Sequence, residues 1–189
     1  MGNGKTMCFS GHRPEKLPDK GDINSTAVRA VMSIVSMEII NSISEGYTRF
    51  ITGMSRGVDL WAGEMVAELK CQGKPLELIA ALPYPGFTDN FTGKSGWAAG
   101  HILANADKVY TVSPAYDKDC MRLRNKFMVD NSDKLVAVYS DSRSGTGQTI
   151  RLAEKAGIEV RIIRLEPFFG LCGLSEEELP EEYRNISII

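Results

Sequence analysis

The 189-residue chain lacks the motifs of several large protein classes. Its four cysteines are far apart and form no CxxC pair, so neither a zinc site nor a disulfide framework is predicted. It has only two histidines, and the HExxH, GxSxG and Walker A motifs are missing. These absences argue against a metalloprotease, an α/β-hydrolase and a P-loop NTPase, and we expect no bound metal.

The chain also lacks a strong charge of one sign and a long hydrophobic run. Its formal net charge is −2, whereas proteins that follow a nucleic acid backbone usually carry a basic excess. We therefore expect no nucleic acid partner. No stretch approaches the roughly 18 uninterrupted apolar residues of a membrane-spanning helix. We accordingly expect a cytoplasmic protein that has no membrane partner.

Six apolar runs of strand length are present and alternate with helical patterns. The runs are Thr6–Ser10, Arg49–Thr52, Glu77–Leu82, Lys108–Val112, Leu135–Tyr139 and Val160–Arg164. Most of them lack alternation of apolar and polar residues, as expected for strands covered on both faces. The pattern predicts an α/β fold, a Rossmann-like three-layer sandwich with a mostly parallel sheet of about six strands.

Length and composition predict one domain over residues 1–170 and an acidic C-terminal tail over residues 171–189. Within the tail, Ser175 and Glu178 have the spacing of a capping box. A loop over Tyr84–Lys94, which contains Gly, Pro and Asn, leads into a short predicted helix over Ser95–Asn105. This loop is well placed to cover the ends of the strands.

Three segments that carry glycine or arginine follow predicted strands. They are CFSGHRP (Cys8–Pro14), FITGMSRGVD (Phe50–Asp59) and VAVYSDSRSGTGQT (Val136–Thr149). Loops after the strands of an alternating α/β chain open on one edge of the sheet, where ligands bind. We therefore expect the three segments, with their arginines Arg13, Arg56 and Arg143, to form one site for an anionic small molecule. We also expect Arg13, Arg56 and Arg124 to converge on one cleft there.

The first segment offers Gly11, His12 and Arg13. Gly11 permits a close backbone approach, and Arg13 has a forked donor that suits phosphate or carboxylate. His12 is a candidate base or a plain hydrogen-bond partner. The alternative is that Gly11 only turns the chain and Arg13 pairs with a surface carboxylate.

The second segment leads into the N-terminus of a predicted helix, a place where amides and the helix dipole attract anions. It does not match GxGxxG, because its glycines are four residues apart and a third is missing. Its candidate ligand-binding residues are Gly53, Ser55, Arg56, Gly57 and Asp59.

The third segment contains small hydroxylated residues and glycines that can expose consecutive amides as an anion nest. Its candidate residues are Ser144, Gly145, Thr146, Gly147 and Thr149. A flexible surface loop that caps the next helix is the alternative.

Arg124 lies inside the apolar stripe of a predicted helix, between Phe127 and Met128. Either its stem extends to solvent or it reaches the strand-end site and meets an anion, and we favour the second interpretation because uncompensated burial of a guanidinium is costly. The neighbouring Asn125 is also a candidate ligand-binding residue.

Together the three segments and the RNKFMVDNSD block resemble the YpsA-like family of the SLOG (Smf/DprA-LOG) superfamily, from about Thr6 to Arg164. The most specific matching blocks are GHRP, GVDLWA and RNKFMVDNSD. The resemblance implies a Rossmannoid fold and a nucleotide or nucleotide-derived ligand, such as an ADP-ribose-like molecule, with no required cofactor.

A related branch, the Lonely Guy phosphoribohydrolases, carries a PGGxGTxxE loop and an upstream Met-x-x-Arg-Lys helix. Met121 and Arg124 resemble that helix, so Arg124 matches the enzymes' arginine. The loop of this chain lacks the PGG and has Gln148 or Thr149 where the catalytic glutamate belongs. Proton transfer or oxocarbenium stabilisation by that carboxylate is therefore missing.

Three functions remain open at this point. The first is a cytosolic nucleotide-binding protein with a sensor or regulatory role. The second is a nucleotide N-glycosidic hydrolase that uses Glu64, Asp59 or His12 in place of the missing glutamate. The third is a protein-interaction factor with a vestigial pocket, and a homo-oligomer is an open alternative to a monomer.

For a bound nucleotide we expect a particular orientation. Residues Ser144–Thr149 of the third segment are small and neutral and offer free amides, with Arg143 alongside, so they should hold the phosphate. Asp59 should accept hydrogen bonds from a ribose hydroxyl or the base, as acidic residues do in dinucleotide folds. The alternative is that Asp59 only caps its helix.

Overall fold

The computed structural model describes residues 4–140 and 143–180. The strands are β1 (Lys5–Gly11), β2 (Tyr47–Thr52), β3 (Glu77–Leu82), β4 (Lys108–Thr111), β5 (Lys134–Tyr139) and β6 (Glu159–Arg164). The helices are α1 (Thr26–Ser44), α2 (Val58–Cys71), α3 (Gly93–Asn105), α4 (Cys120–Asp130), α5 (Gly145–Ala156) and the short α6 (Glu166–Phe169). All six predicted strands are present, with ends that differ by at most two residues from the predicted bounds.

The six strands form one fully parallel sheet in the order β4-β3-β2-β1-β5-β6. From β1 the chain runs outward to β4, and it then returns to the other side of β1 to add β5 and β6. The order therefore reverses between β1 and β5. In an open α/β sheet, the loops on either side of such a reversal diverge and leave a crevice.

Helices cover both faces of the sheet, which explains why the strands are apolar on both sides. On one face, Phe9 of β1 and Phe50 of β2 belong to a core that includes residues of α1, α2 and α3. On the other face, Cys8 and Ile51 of the same two strands pack with residues of α4 and α5. The expected three-layer Rossmann-like sandwich is confirmed.

Two helices begin earlier than the sequence pattern predicts. α3 begins at Gly93 rather than Ser95. α5 begins at Gly145, because the Ser144 hydroxyl accepts a hydrogen bond from the Gly147 amide at 3.1 Å and so caps the helix there. The last five residues of the third segment, 145–149, therefore belong to α5 rather than to a loop.

The packed core continues past residue 170. Leu171 and Leu179 are buried, and the Thr26 hydroxyl donates a hydrogen bond to the Leu174 carbonyl oxygen at 2.7 Å. Glu178 accepts hydrogen bonds from the amide and hydroxyl of Ser175 at 2.8 Å, which is one half of the predicted capping box. The remainder of the predicted tail, residues 181–189, lies outside the described residues.

By length and composition α1 is apolar enough to cross a membrane, with 19 residues and a mean hydropathy of 1.3 in its most apolar window. In this fold, half of that window is buried inside the protein. Val28, Val31, Val35 and Ile39 are fully buried. The helix thus provides core side chains, and it begins where the Ser25 hydroxyl accepts a hydrogen bond from the Val28 amide at 3.1 Å.

We predict that Ile39→Ala lowers the free energy of unfolding by about 2–5 kcal/mol, because it leaves a cavity in the core. Met37→Ala, two residues away on the exposed side of α1, should change it by less than about 0.5 kcal/mol. Urea titration followed by circular dichroism measures both values. Equal losses for the two variants would contradict the burial of this face.

Candidate functional site

A cavity of about 460 Å³, called here the switch-point cavity, opens beyond the carboxyl ends of β1 and β5. Its volume is within the range of small-molecule sites, about 300–1,000 Å³. Its lining contains Ser10, Gly11, His12, Arg13, Glu15, Lys16, Ser55, Asp59, Met121, Arg124, Asn125, Arg143, Ser144, Gly145 and Thr146. All three segments identified in the sequence contribute to it.

The structure brings most of the predicted site residues to this cavity. Those in its lining are Gly11, His12, Arg13, Ser55, Asp59, Arg124, Asn125, Ser144, Gly145 and Thr146. Those outside its lining are Gly53, Arg56, Gly57, Gly147 and Thr149. Contact of any of these residues with a ligand stays a prediction.

Two of the three glycines outside the lining, Gly53 and Gly57, permit close packing. A β-carbon at Gly53 would collide with the guanidinium of Arg124, and one at Gly57 would lie 2.5 Å from the His12 carbonyl oxygen. Gly57 also has a φ of +88°, which disfavours other residues. These two glycines therefore let the second segment approach α4 and the first segment closely.

Arg56 does not join Arg13 and Arg124 in the switch-point cavity. Its guanidinium forms an exposed ion pair with Glu15 at 2.8 Å and lines a neighbouring cavity. It precedes Gly57 at an exposed turn, so its side chain extends over the residues that follow Arg13. The expected single cleft therefore holds Arg13 and Arg124, together with Arg143.

A buried ion pair lies at the centre of the site. Asp59, in the first turn of α2, accepts a hydrogen bond from the Gly11 amide at 3.2 Å and pairs with Nη1 of Arg124 at 3.4 Å. Arg124 also donates to the Gly53 carbonyl oxygen, and to the Ser55 hydroxyl at 3.0 Å. The pair therefore connects the first segment, the second segment and α4.

Burial changes the acid–base properties of this pair. It raises the pKa of the Asp59 carboxyl from 3.8 to about 6, although the Arg124 charge and the Gly11 amide favour the ionised form. Burial likewise lowers the pKa of the Arg124 guanidinium, and the Asp59 charge opposes that shift. A carboxyl that is strongly perturbed in this way within a cavity is a common feature of functional sites.

The turn of the second segment includes a strained residue that the sequence pattern did not reveal. Met54 is fully buried and has a φ of +59°, which is unusual for a residue with a side chain. The Thr52 hydroxyl accepts a hydrogen bond from the Met54 amide and donates one to the Asp59 carbonyl oxygen at 2.6 Å. These bonds hold the turn that positions Ser55 and Asp59.

The N-terminus of α5 presents its first amides to the cavity. Gly147 donates its amide hydrogen to Ser144, and the Thr149 hydroxyl donates to the Gly145 carbonyl oxygen at 3.0 Å. Within the described part of the chain, the Gly145 and Thr146 amides have no hydrogen-bond partner. The residues predicted to form an anion nest thus begin a helix, and only two of their amides are without a partner among the described residues.

The carboxylates and the histidine proposed to replace the missing glutamate occupy different places. Nε2 of His12 accepts a hydrogen bond from the Ser140 amide at 3.1 Å, so this nitrogen is engaged by the protein. Glu64 lines another cavity, together with Trp61 and Trp97. Of the three residues proposed to replace the glutamate, Asp59 and His12 line the switch-point cavity and Glu64 does not. Both Asp59 and His12 are held by contacts within the protein.

Sequence reasoning missed several other residues of the lining. Glu15 and Lys16 lie on a 3₁₀ turn directly after Arg13, and no motif marks them. Met121 was noted only as part of the helix that resembles the phosphoribohydrolase motif, and not as a ligand-binding residue. Its position three residues before Arg124, about one helical turn away, would have been a sufficient signal. Arg143, which the sequence analysis had expected at the anion site, does line the cavity.

The fold and its cavity define the class of protein, an α/β Rossmann-like sandwich with an open cavity at the reversal of strand order. The family model YpsA, described as the YspA SLOG family, matches residues 7–163. The chain belongs to this family, and the resemblance inferred from the sequence is confirmed.

Its relatives extend over most of its length. A UPF0398 protein of Bacillus cereus is 26% identical over 184 residues, which cover 96% of this chain and 98% of the relative. A UPF0398 protein of Ligilactobacillus salivarius is 29% identical over 143 residues, which cover 74% of this chain and 76% of the relative. These names assign no activity.

Two solved structures share the fold. DNA processing protein A from Streptococcus pneumoniae has a TM-score of 0.58 and 17% identity, and the match covers 89% of this chain but only 53% of that protein. DNA processing protein A from Helicobacter pylori has a TM-score of 0.55 and 16% identity, over 84% of this chain and 65% of that one. The chain thus spans about half to two thirds of their length.

The second of these comparisons corrects one expectation. The Helicobacter pylori structure is described as showing a binding mode for single-stranded DNA. A protein of this fold therefore binds nucleic acid, and the exclusion of nucleic acid partners from net charge was wrong. The physical reason is that net charge averages over the whole surface, whereas a few local arginines can hold a phosphate.

We predict that Asp59 makes stability depend on pH. The folded chain holds the Asp59 proton more tightly than the unfolded chain does, and this difference adds to the free energy of unfolding. The added free energy is fully present below about pH 4 and is lost as the pH rises through about 6. Relative to Asp59→Asn, the wild type should lose about 1–3 kcal/mol of unfolding free energy between pH 4 and 7. Urea titrations over that range measure the difference, and parallel pH curves for the two proteins would contradict it.

Proposed function

We propose that the chain is a cytosolic protein with a sensor or regulatory role that binds a nucleotide or nucleotide-derived ligand in the switch-point cavity. The observation that carries the proposal is the N-terminus of α5. Gly145 and Thr146, whose amides have no partner among the described residues, line the same cavity as Arg13, Arg124 and Arg143. Amides at a helix N-terminus together with arginines are a common arrangement for binding phosphate.

The charge of the lining supports an anionic ligand. Four cationic side chains line the cavity, namely those of Arg13, Lys16, Arg124 and Arg143, against the two carboxylates of Glu15 and Asp59. Asp59 is already paired with Arg124, and Glu15 with Arg56 outside the cavity. The lining therefore has a surplus of positive charge, as a phosphate site requires.

The orientation expected from the sequence remains part of the proposal. The phosphate would accept hydrogen bonds from the amides at the start of α5. Asp59 lies across the cavity on α2, where a ribose hydroxyl could donate to it. Because Asp59 also holds Arg124, a ligand that contacts Asp59 would also meet the ion pair that connects the first segment, the second segment and α4.

Binding without hydrolysis is the version of the function that we favour. Gln148 is exposed and carries no carboxylate, and Thr149 is buried with its hydroxyl donated to Gly145. Neither can perform the proton transfer expected of a phosphoribohydrolase glutamate. The single-stranded DNA bound by the Helicobacter pylori protein supports phosphate-linked nucleotides as the class of ligand.

We predict that Gly145→Asp weakens binding of a nucleoside monophosphate by at least about tenfold, because it places a carboxylate beside the phosphate. A β-carbon at Gly145 meets no atom within 4 Å, so the side chain fits. An acidic residue in the first turn favours the helix by about 0.3–1 kcal/mol, so the folded state should not be weakened. Isothermal titration calorimetry measures the affinity.

Gly145→Ala is the matched control, since it adds the β-carbon without the charge. It should leave the affinity for the monophosphate within about threefold of the wild type, a difference of less than about 1 kcal/mol. The proposal fails if Gly145→Asp binds the nucleotide as tightly as Gly145→Ala does. It also fails if neither the wild type nor the control binds any member of a nucleotide panel.

We predict that the chain does not release base from AMP, GMP or CMP at about 1 s⁻¹ or faster, the lower end of usual enzyme rates. The reason is the missing carboxylate at Gln148 and Thr149. Chromatography of the reaction products measures free base directly. Turnover at that rate would support the N-glycosidic hydrolase instead, and Asp59→Asn would then identify whether Asp59 takes part.

A further inference from the structure

A second cavity of about 390 Å³, called here the aromatic cavity, adjoins the switch-point cavity. Arg13 and Met121 line both cavities, so the two spaces meet at these side chains. Nothing in the proposed function uses the aromatic cavity. Its walls come mainly from the loop between β3 and α3, which the sequence predicts to cover the strand ends.

Three aromatic rings line the aromatic cavity, those of Tyr84, Phe87 and Phe91. They pack edge to face against each other, with ring centres 5.5 Å apart for both Tyr84–Phe87 and Phe87–Phe91. Tyr116 packs against Tyr84 from the other side at 5.4 Å. Rings held in this way form a rigid apolar wall against which a flat aromatic group can stack.

The remaining lining is polar and suits the edge of a heterocyclic base. Asn90, Thr92 and Ser95 provide an amide and two hydroxyls, which both donate and accept hydrogen bonds. Arg13 lines both cavities, and Arg56 pairs with Glu15, a residue of the switch-point lining. The aromatic cavity thus combines a surface for stacking, groups that can bind the edge of a base, and a cation, Arg13, that it shares with the switch-point cavity.

We infer that the aromatic cavity is a nucleobase site, and that the ligand consists of two nucleotide units joined through phosphate. One unit would occupy the switch-point cavity, and the base of the other would stack in the aromatic cavity, with the linking phosphate beside Arg13. This inference rests on the proposed function. Two sources share this chemistry: a free dinucleotide, and consecutive nucleotides of a single strand.

The test compares ligands with one and two units. The one-unit probe is 5′-AMP; the two-unit probes are NAD⁺, in which two nucleotides are joined through their phosphates, a 5′-phosphorylated dinucleotide of deoxyadenylate, and a twelve-residue oligodeoxyadenylate. The variant is Tyr84→Leu, which removes the ring but keeps apolar bulk. The matched control is Tyr110→Leu, at an exposed tyrosine on the edge strand β4 that belongs to the lining of neither cavity.

We expect at least one two-unit probe to bind at least about tenfold more tightly than 5′-AMP, since stacking of one base is worth about 1–3 kcal/mol. Tyr84→Leu should weaken that probe about fivefold or more and leave the affinity for 5′-AMP within about twofold. Tyr110→Leu should change neither. If only the oligonucleotide binds tightly, the source of the ligand is a single strand. If the short two-unit probes bind tightly, the source is a free dinucleotide.

Equal affinity for one and two units would overturn the inference and leave the proposed function intact. The inference would also be overturned if Tyr84→Leu weakened the binding of 5′-AMP and of the two-unit probe equally, because the ring would then hold the base of a single nucleotide. If Tyr84→Leu does not fold, Asn90→Ala on the exposed loop replaces it with the same expected selectivity. If Gly145→Asp weakens no probe while Tyr84→Leu weakens the two-unit probe, the phosphate placement fails and the nucleobase site stands.

Discussion

The buried ion pair between Arg124 and Asp59 is the interaction on which the site depends. It connects the backbone after β1, the turn after β2 and the helix α4, which come from distant parts of the chain. Removing one partner of such a pair leaves an uncompensated buried charge, which costs about 3–5 kcal/mol. The glycine at position 53 is part of the same arrangement, because any β-carbon there would displace the guanidinium.

The pair also explains why the cavity contains both a fixed and an adaptable element. Arg124 is held by Gly53, Ser55 and Asp59, so its position is determined before a ligand arrives. The start of α5 instead has two amides, those of Gly145 and Thr146, that donate to no other group in the part of the chain that the structure describes. A preorganised cation beside available donors reduces the ordering that binding requires.

The order of the strands places these elements together. Because the sheet reverses between β1 and β5, the loop after β1 and the start of α5 flank one crevice, and the turn after β2 lies beside them. The loop after β3 is next in the sheet, which is why its aromatic residues form the wall of an adjoining cavity instead of the same one. The strand order thus determines which segments share a cavity and which extend it.

The sequence by itself determined the α/β class, the six strands and the importance of the three segments, because apolar periodicity and glycine spacing are local properties. It could not show that Arg56 turns toward Glu15, that Thr149 is buried, or that Glu64 faces another cavity. Those facts depend on the direction in which each side chain points in the packed structure. That direction is determined by residues that are distant in the sequence. The raised pKa of Asp59 likewise exists only once burial and Arg124 surround it. The sequence therefore located the site, and the tertiary structure decided which of its residues line the cavity.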